Sequence, residues 1–340
     1  MGVEAIYLDC AATTPVDPRV AERMAAHLTA AGDFGNPASE QHVFGRRALA
    51  AAEAAREQVA AAIGAEPREL VFTSGATESN NLALKGAAGF QRDRGRHIVT
   101  AASEHKAVLD VCEALAFQGF EVTRVAPEVD GRVTPEAVAA ALRDDTVLVS
   151  VMHANNETGV VNDIAAIGAA VHARGALYHV DAAQTGGRLP LGVGELPVDL
   201  LSLSAHKVYG PKGVGALWVR RRPRVRLVPQ MHGGGHEHGL RSGTLPTHQL
   251  VGMGEAFALA QAGRDADRAH AEALRERLQA GLAGIDGLHE NGAGAPRLPH
   301  VRNLAFDGVE GESLVSALAD RVALATGSAC TTASVEPSFV

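Results

Sequence analysis

The sequence predicts an α/β fold, a mainly parallel sheet with helices on both faces, together with a smaller α+β part. Between about Glu69 and Arg220, short apolar runs of strand length alternate with longer helical patterns. Such alternation is typical of βαβ units, in which each crossover helix covers one face of the sheet. After Thr247 the pattern starts anew with helices, a loop, a strand and a helix. This new start indicates the smaller part.

The individual elements follow in chain order. Two alanine-rich helices come first, at 18–31 and at about 39–63, the second with Ser39 as its predicted N-cap. Predicted strands then occupy 71–73, 97–101, 121–125, 146–152, 177–181, 198–203 and 302–306, and predicted helices occupy 81–88, 106–118, 135–142, 164–173, a segment ending at 257, 268–282 and 312–319.

Composition excludes several classes of protein. The 340 residues are 46% hydrophobic and carry a net charge of −8, which fits a globular enzyme and does not favour nucleic acid as a partner. We find no apolar run of membrane-spanning length and no signal-peptide pattern, so we expect a cytoplasmic chain. The three cysteines, Cys10, Cys112 and Cys330, cannot all pair, which argues against a disulfide framework and leaves a thiol for chemistry.

Lys207 has a position that suits cofactor chemistry. It follows the predicted strand 198–203 and precedes the turn at Gly210-Pro211. A lysine at a strand end can form a Schiff base with a carbonyl cofactor such as pyridoxal 5'-phosphate (PLP). Taken alone, most turns of this kind carry an ordinary surface lysine, so the interpretation depends on the other parts of a PLP site.

A phosphate cradle is the first of those parts. Ser74-Gly75-Ala76-Thr77 follows a predicted strand and opens a helix. Gly75 permits a tight turn, and the first N–H groups of the helix at Ala76 and Thr77 are available to an anion. The alternative is an ordinary N-cap made by Ser74 or Thr77.

Further polar residues follow other predicted strands. Asp181 ends an apolar strand, where a buried carboxylate needs a partner such as a protonated pyridine nitrogen, and Gln184 could reach the phenolic oxygen of PLP. His105 opens a helix and could stack on the ring and move protons, while Asn155 and Asn156 bring two amides. A capping role for Asp181 and a surface position for His105 are the common alternatives. Because ligands bind at the carboxyl edge of open α/β sheets, we expect one site.

Together these motifs resemble the cysteine desulfurases of the NifS/IscS type. The resemblance runs from Tyr7-Leu8-Asp9 to the last residue. It implies PLP-dependent transferase fold type I and the removal of sulfur from L-cysteine, which gives L-alanine and a persulfide for an iron–sulfur scaffold or another sulfur acceptor. The motifs that carry it are Ser204-Ala205-His206-Lys207, Gly75-Ala76-Thr77-Glu78-Ser79-Asn80, Ser103-Glu104-His105, Asn155-Asn156-Glu157, Asp181-Ala182-Ala183-Gln184, Arg241-Ser242-Gly243-Thr244-Leu245-Pro246 and Gly327-Ser328-Ala329-Cys330.

The resemblance implies a role for each matching residue. Lys207 binds PLP and moves the Cα proton, and Cys330 is the thiol that takes the sulfur. His105 stacks on the ring and transfers protons. Asp181 pairs with the pyridine nitrogen, and Gln184 donates to the phenolic oxygen.

The remaining implied roles concern the substrate and the phosphate. Asn156 helps to fix the substrate carboxylate. Thr244 reaches the phosphate of the neighbouring subunit, which implies a homodimer. Within one subunit the phosphate is held by Ala76, Thr77, Ser204 and His206.

A basic run stands out in this acidic chain. One interpretation is a solvated face, the common case. The other, suggested by the resemblance, is a docking surface for acidic sulfur-acceptor proteins. The run consists of Arg220, Arg221, Arg222, Arg224 and Arg226.

A histidine-rich stretch at 232–238 could suggest a metal site. Its three histidines and one glutamate lack the spacing on a firm scaffold that zinc sites usually have. The resemblance makes it a glycine-rich loop near the dimer interface, and we expect no metal there.

The resemblance also predicts the domain organisation. We expect a large PLP-binding domain over residues 16–262 and a small domain formed by 1–15 with 263–340. Family members continue for several dozen residues past Val340, and that part carries the arginine that clamps the substrate carboxylate. Two alternatives to a cysteine desulfurase therefore stay open: a selenocysteine lyase of the same fold, and a catalytically incomplete fragment that acts as a binding partner.

Overall fold

A computed structural model describes residues 5–327, 338 and 340 of the chain. None of the helices in this part is both long and apolar enough to cross a membrane. The elements are, in chain order, β1 (Ile6–Tyr7), α1 (Pro18–Ala25), α2 (Val43–Ile63), β2 (Leu70–Thr73), α3 (Ala76–Gln91), β3 (His97–Ala101), α4 (Lys106–Phe117), β4 (Glu121–Val125), α5 (Pro135–Ala141), β5 (Thr146–Ser150), α6 (Ile164–Ala173), β6 (Leu177–Asp181), β7 (Leu200–Ser204), β8 (Gly215–Val219), α7 (Thr247–Leu282), β9 (Leu288–Glu290), β10 (Leu304–Phe306), α8 (Gly311–Leu318) and β11 (Val322–Ala323).

The central sheet has seven strands in the order β2-β8-β7-β6-β5-β3-β4. Its neighbours pair in parallel except around β8, which runs antiparallel to both β2 and β7. Gly215 at the start of β8 stands opposite Thr73 of β2 and Ser204 of β7. The carboxyl ends of β2 and β7 therefore lie one strand apart. The mainly parallel α/β sheet predicted from the sequence is confirmed.

Two apolar clusters cover the two faces of this sheet. Phe72 of β2 and Val149 of β5 belong to the cluster that includes residues of α2, α6 and the first part of α7. Their neighbours Val71 and Leu148 belong to the cluster on the other face, with α3 and α4. Since strands in the middle of such a sheet are buried on both sides, they consist of continuous apolar runs rather than alternating ones.

Some element boundaries differ from the predictions. Helix α1 ends at Ala25, where the chain forms turns and the Ala26 carbonyl accepts the Asp33 N–H at 3.0 Å. The predicted cap Ser39 was wrong, because α2 starts at Val43 and His42 Nδ1 accepts the Gly45 N–H at 3.1 Å.

Helix α7 is continuous where the sequence predicted two helices. Four of the ten intervening residues are alanine, and a single Gly263 is tolerated within a helix. Its buried residues extend only to Phe257, and the remainder is more exposed. The predicted domain boundary at 262 therefore falls inside one helix, and the division into domains stays a prediction.

Segments from near both ends of the described chain meet outside the central sheet. β1 pairs in parallel with β11, so that Ile6 stands opposite Val322. β9 and β10 form a separate antiparallel pair. Both two-stranded sheets belong to the regions assigned to the small domain in the sequence.

Candidate active site

Lys207 and Gln184 meet at one backbone oxygen. Lys207 lies in the turn between β7 and β8, three residues past Ser204. Its ammonium donates to the Ala11 carbonyl, and Gln184 Nε2 donates to the same oxygen at 3.0 Å. The lysine and the amide predicted from the sequence thus point to a common space at the carboxyl edge of the sheet.

Asp181 is fixed at the end of β6, with only 6% of its surface exposed. Its Oδ1 accepts the Ala183 N–H at 2.9 Å, and its Oδ2 accepts the Asn80 side-chain amide at 2.7 Å. Asn80 lies on α3, the helix that follows the cradle. The sequence motif contained Asn80, but nothing in its local pattern indicated this long-range contact.

His105 caps α4 and lies within electrostatic range of both charged residues. Its Nδ1 accepts the Ala107 N–H at 3.0 Å, so the neutral ring carries its proton on Nε2. Burial lowers the pKa of His105; nearby Asp181 acts to raise it and Lys207 to lower it further. The imidazole is therefore neutral at pH 7, and its Nε2–H is the group that can donate.

The cradle is an uncapped helix N-terminus. Gly75 is the N-cap of α3, with φ 148° and ψ 179°, and no side chain caps the helix. This backbone region is essentially restricted to glycine. Neither Ser74 nor Thr77 therefore caps the helix, which was the alternative. The first N–H groups of α3, at Ala76 and the exposed Thr77, are left for an anion.

Ser204 is the last residue of β7, and His206 lies in the lysine turn, the segment 205–214 that joins β7 to β8 and carries Lys207. Ser204 is 3% exposed, and its hydroxyl has no hydrogen-bond partner among the described residues. His206 Nδ1 lies 3.1 Å from Thr13 Oγ1. Burial lowers the pKa of His206 to about 4, with Lys207 and Lys212 contributing, so the ring is neutral.

The N-terminal segment is a part of the site that sequence reasoning missed. Thr14 donates to the His206 carbonyl from both its N–H and its hydroxyl, at 2.9 and 3.0 Å. Ala11, Thr13 and Thr14 thus form hydrogen bonds with Lys207 and His206 of the lysine turn. Two adjacent threonines before a proline were the available signal, but their partners lie almost 200 residues away.

The loop that precedes Thr244 is bound to the cradle. Arg241 Nε donates to Glu78 Oε1 at 2.8 Å, and Glu78 Oε2 accepts the Ser74 N–H at 2.7 Å. Burial alone would raise the pKa of Glu78, but the hydrogen bonds from Arg241 and Ser74 lower it. Thr244 itself is exposed.

A buried ion pair fixes the same loop to β2. Arg56 donates to both carboxylate oxygens of Glu237, at 2.8 and 2.9 Å, and Glu237 Oε2 also accepts the Phe72 N–H at 2.6 Å. Glu237, the one carboxylate of the histidine-rich stretch, is therefore committed to Arg56. The sequence analysis did not predict this contact, because it considered Glu237 only as a possible metal ligand.

Three predicted positions remain: Asn155, Asn156 and Cys330. Asn155 uses its side chain to hold its own loop: Nδ2 donates to the Ser103 carbonyl at 3.0 Å, and Oδ1 accepts the Glu157 N–H at 2.9 Å. Its neighbour Asn156 is partly buried after β5. Cys330 lies outside the described residues.

The basic run divides into two kinds of arginine. Arg220 packs inward: its guanidinium donates to the Val198 carbonyl at 2.7 Å and to the Val193 carbonyl at 3.1 Å, and it lies over the Trp218 ring. Including Arg220 in a docking surface was therefore wrong, because its donors are already bound. The exposed members are Arg221, Arg222, Arg224 and Arg226.

These features fit PLP. An amine, an oriented carboxylate and a neutral imidazole lie within electrostatic range of one another, since the pKa of His105 responds to both Asp181 and Lys207. An uncapped helix N-terminus and the unpartnered hydroxyl of Ser204 suit a phosphate.

Comparison with known proteins points the same way. The class-V aminotransferase family profile matches residues 6–339. The chain is 59% identical over 335 residues to a cysteine desulfurase IscS of Pseudomonas aeruginosa (strain UCBPP-PA14), an alignment covering 98% of this chain and 83% of the relative. Among solved structures it is similar to a NifS-like protein, with TM-score 0.88 and 39% identity over 93% of this chain and 85% of that one. It is also similar to SspA in complex with cysteine, with TM-score 0.86 and 37% identity over 98% and 93%.

Proposed function

The chain belongs to the class-V aminotransferase family, as one of its cysteine desulfurases, and on that premise we propose which of its residues act and on what. The reaction removes sulfur from L-cysteine and gives L-alanine. The observation that carries the assignment of residues is the convergence of Lys207 and Gln184 on the Ala11 carbonyl, beside an Asp181 held by the cradle helix.

PLP, when bound, supplies an electron sink for the carbons of the substrate. Lys207 binds its carbonyl carbon and afterwards holds the proton from the substrate Cα. Asp181 keeps the pyridine nitrogen protonated, a role supported by its burial at 6% exposure and its two fixed donors. Gln184 donates to the phenolic oxygen.

His105 stacks on the ring and moves protons. Its neutral state at pH 7 supports this role, since burial lowers its pKa and its Nε2 carries the exchangeable proton. A protonated imidazole would repel the Lys207 ammonium, whereas the neutral ring packs against an aromatic system and offers its Nε2 proton.

The phosphate is held at the helix N-terminus. Ala76 and Thr77 offer their N–H groups, and Ser204 offers a buried hydroxyl that otherwise lacks a partner in the described part of the chain. His206, neutral with a pKa of about 4, acts as a hydrogen-bonding group rather than as a cation. Thr244 reaches the phosphate of a second subunit in a homodimer, a role supported by its exposure and by the ion pair that fixes its loop.

Cys330 is the sulfur acceptor within the chain. Its thiolate bonds to the sulfur of the substrate, the carbon–sulfur bond breaks with its electron pair going to carbon, and a proton completes L-alanine. The sulfur then stands on Cys330 as a persulfide. Asn156 fixes the carboxylate of L-cysteine during these steps.

The sulfur passes from Cys330 to an acidic acceptor, an iron–sulfur scaffold or a comparable protein in the cytoplasm. Four exposed arginines on the segment after β8 support this proposal, because they form a local positive surface on a chain with net charge −8. The four are Arg221, Arg222, Arg224 and Arg226.

Spectroscopy and product analysis on the 340-residue chain test the proposal. The wild-type chain should bind PLP with a visible absorbance band and release L-alanine from L-cysteine. Lys207→Ala should lose the band, and Cys330→Ala should keep it while losing the persulfide and sulfur transfer. Lys212→Ala, in the same turn, and Cys112→Ala, buried in α4, are matched controls that should behave as wild type.

Full desulfurase turnover by Cys330→Ala would contradict the role of that thiol. An unchanged visible band in Lys207→Ala would contradict the role of the lysine. A comparison of L-cysteine with L-selenocysteine as substrates separates the desulfurase from the selenocysteine lyase.

A further inference from the structure

Arg188 holds the backbone carbonyl of Lys207. It lies four residues after Gln184, on the segment that follows β6. Its Nε and Nη2 donate to the Lys207 carbonyl oxygen at 3.1 and 2.6 Å, and its guanidinium lies 5.8 Å from the centre of the Tyr209 ring. The side chain thus contacts the lysine turn through the residue that carries the amine and through the residue two positions later.

The turn that Arg188 contacts is strained. Tyr209 has φ +62°, in the left-handed region that non-glycine residues adopt only where their surroundings hold them. Thr14 Oγ1 accepts the Tyr209 N–H at 2.7 Å, and the Asp17 N–H donates to the Tyr209 carbonyl at 2.9 Å. These contacts fix the turn after the lysine, and Arg188 fixes the carbonyl of the lysine itself.

The charge on Arg188 is also unusual for its setting. Among the described residues, Arg188 forms no ion pair with an Asp or Glu oxygen within 4.0 Å, although the residue is partly buried. Burial lowers the pKa of Arg188, and the nearby Tyr209, Cys10 and Asp267 oppose that effect without reversing it. Taking a cation partly out of water carries a cost, and the two charge-assisted hydrogen bonds to the Lys207 carbonyl offset part of it.

We propose that Arg188 is a positioning residue for Lys207, which fixes the lysine carbonyl so that the strained turn presents the amine to the carbonyl group of PLP. The inference rests on the proposed function. Arg188 would orient the backbone of the lysine turn and take no part in bond making or breaking, so we expect it to act without touching the substrate.

The test compares Arg188→Met and Arg188→Lys with Arg220→Met. Arg220 is a matched control, since it too is an inward-facing arginine that donates to backbone carbonyls and stacks on an aromatic ring, but away from Lys207. Each full-length variant is stripped of PLP and reloaded, and the visible band of lysine-bound PLP is followed in time. Amide hydrogen exchange of the peptide 206–210 is measured on the stripped protein.

In Arg188→Met we expect the band to form about tenfold more slowly and the 206–210 amides to exchange about tenfold faster, the order of effect of losing a hydrogen bond from a charged group. Arg188→Lys should lie between Met and wild type, because lysine supplies charge without the two-pronged fork. Arg220→Met should melt at a lower temperature and keep wild-type rates in both measurements.

Wild-type exchange and loading in Arg188→Met would overturn the proposal, as would equal slowing in Arg220→Met. If Arg188→Met does not fold, Arg188→Lys decides, and wild-type exchange in that variant counts against the proposal. A wild-type chain that forms no band with PLP would contradict the proposed function instead, and the exchange measurement on Arg188 would still be decisive.

Discussion

Asn80 donates its side-chain amide to Asp181 Oδ2 at 2.7 Å, and both residues are buried. The bond joins α3, which begins at the phosphate cradle, to the carboxylate at the end of β6. The two ends of the candidate cofactor site are therefore not independent: the same helix that offers its N-terminus to the phosphate also orients the group proposed to face the ring nitrogen.

Replacing Asn80 should weaken PLP binding. In Asn80→Ala we expect the dissociation constant for PLP to rise about tenfold, because Asp181 loses a buried donor. In Asn80→Asp the loss should be larger, since a second carboxylate disfavours the ionised form of Asp181. Equilibrium titration with PLP measures both. Gln91→Ala, at the other end of the same helix, serves as control, and equal weakening there would contradict the role of Asn80.

Gly215 should tolerate no side chain, because it lies against the cradle. A Cβ at this position would lie 2.7 Å from the Gly75 Cα and 2.5 Å from the Leu203 carbonyl oxygen, and both are backbone atoms. Gly215→Ala should therefore displace the cradle turn and raise the PLP dissociation constant about tenfold, a typical effect of overpacking. Gly192→Ala, where a Cβ meets nothing within 4 Å, should bind PLP as wild type does. Similar affinities for the two variants would show that the contact does not constrain the cradle.

The Arg56–Glu237 pair should contribute strongly to stability. Their side chains are only 6% and 2% exposed, so removing one charge leaves the other buried without a partner. We expect Glu237→Gln to lower the free energy of unfolding by about 3 kcal/mol, measured by urea denaturation. Glu121→Gln, which breaks an exposed pair with Arg143, should change it by less than about 1 kcal/mol. Equal effects of the two substitutions would argue that burial of the first pair is not what matters.

Stability should fall as the pH drops below about 6.5. His179 is buried between the hydroxyls of Ser150 and Ser202, and burial lowers its pKa from 6.5 to about 4. Between those values the unfolded chain binds the proton that the folded chain refuses, so the contribution is fully present above 6.5 and is lost toward pH 4. Each such histidine changes the free energy of unfolding by up to ~1.4 kcal/mol per pH unit. His179→Gln should reduce this slope in urea titrations between pH 7 and 4.5; an unchanged slope would assign the effect to other groups, such as His153.

Local patterns in the sequence were sufficient to place several elements and two of the candidate residues. Strands β3, β4 and β6 and helix α6 have the predicted bounds, because each has clear punctuation at its ends. Asp181 and His105 could be placed at the carboxyl edge of the sheet because Asp181 ends one predicted strand and His105 opens the helix after another.

Contacts between distant parts of the chain could not be predicted in this way. The Ala11 carbonyl meets Gln184 and Lys207, and Glu237 meets Arg56, without any pattern that links the partners. The same holds for β8, whose pairing with β2 spans some 140 residues and whose direction follows from the turn after Lys207. The resemblance to a known family supplied roles for residues, but not these bonds.

The strand order also has a consequence for how the protein is made. β2 pairs only with β8 among the described strands, whereas β3, β5, β6 and β7 pair with one another in parallel. As the chain leaves the ribosome, the strands that carry Asp181 and Lys207 can assemble while β2 still waits for residues 215–219. The cradle at the end of β2 therefore joins the sheet only after residues 215–219 have emerged, later than the parallel strands that precede the lysine turn.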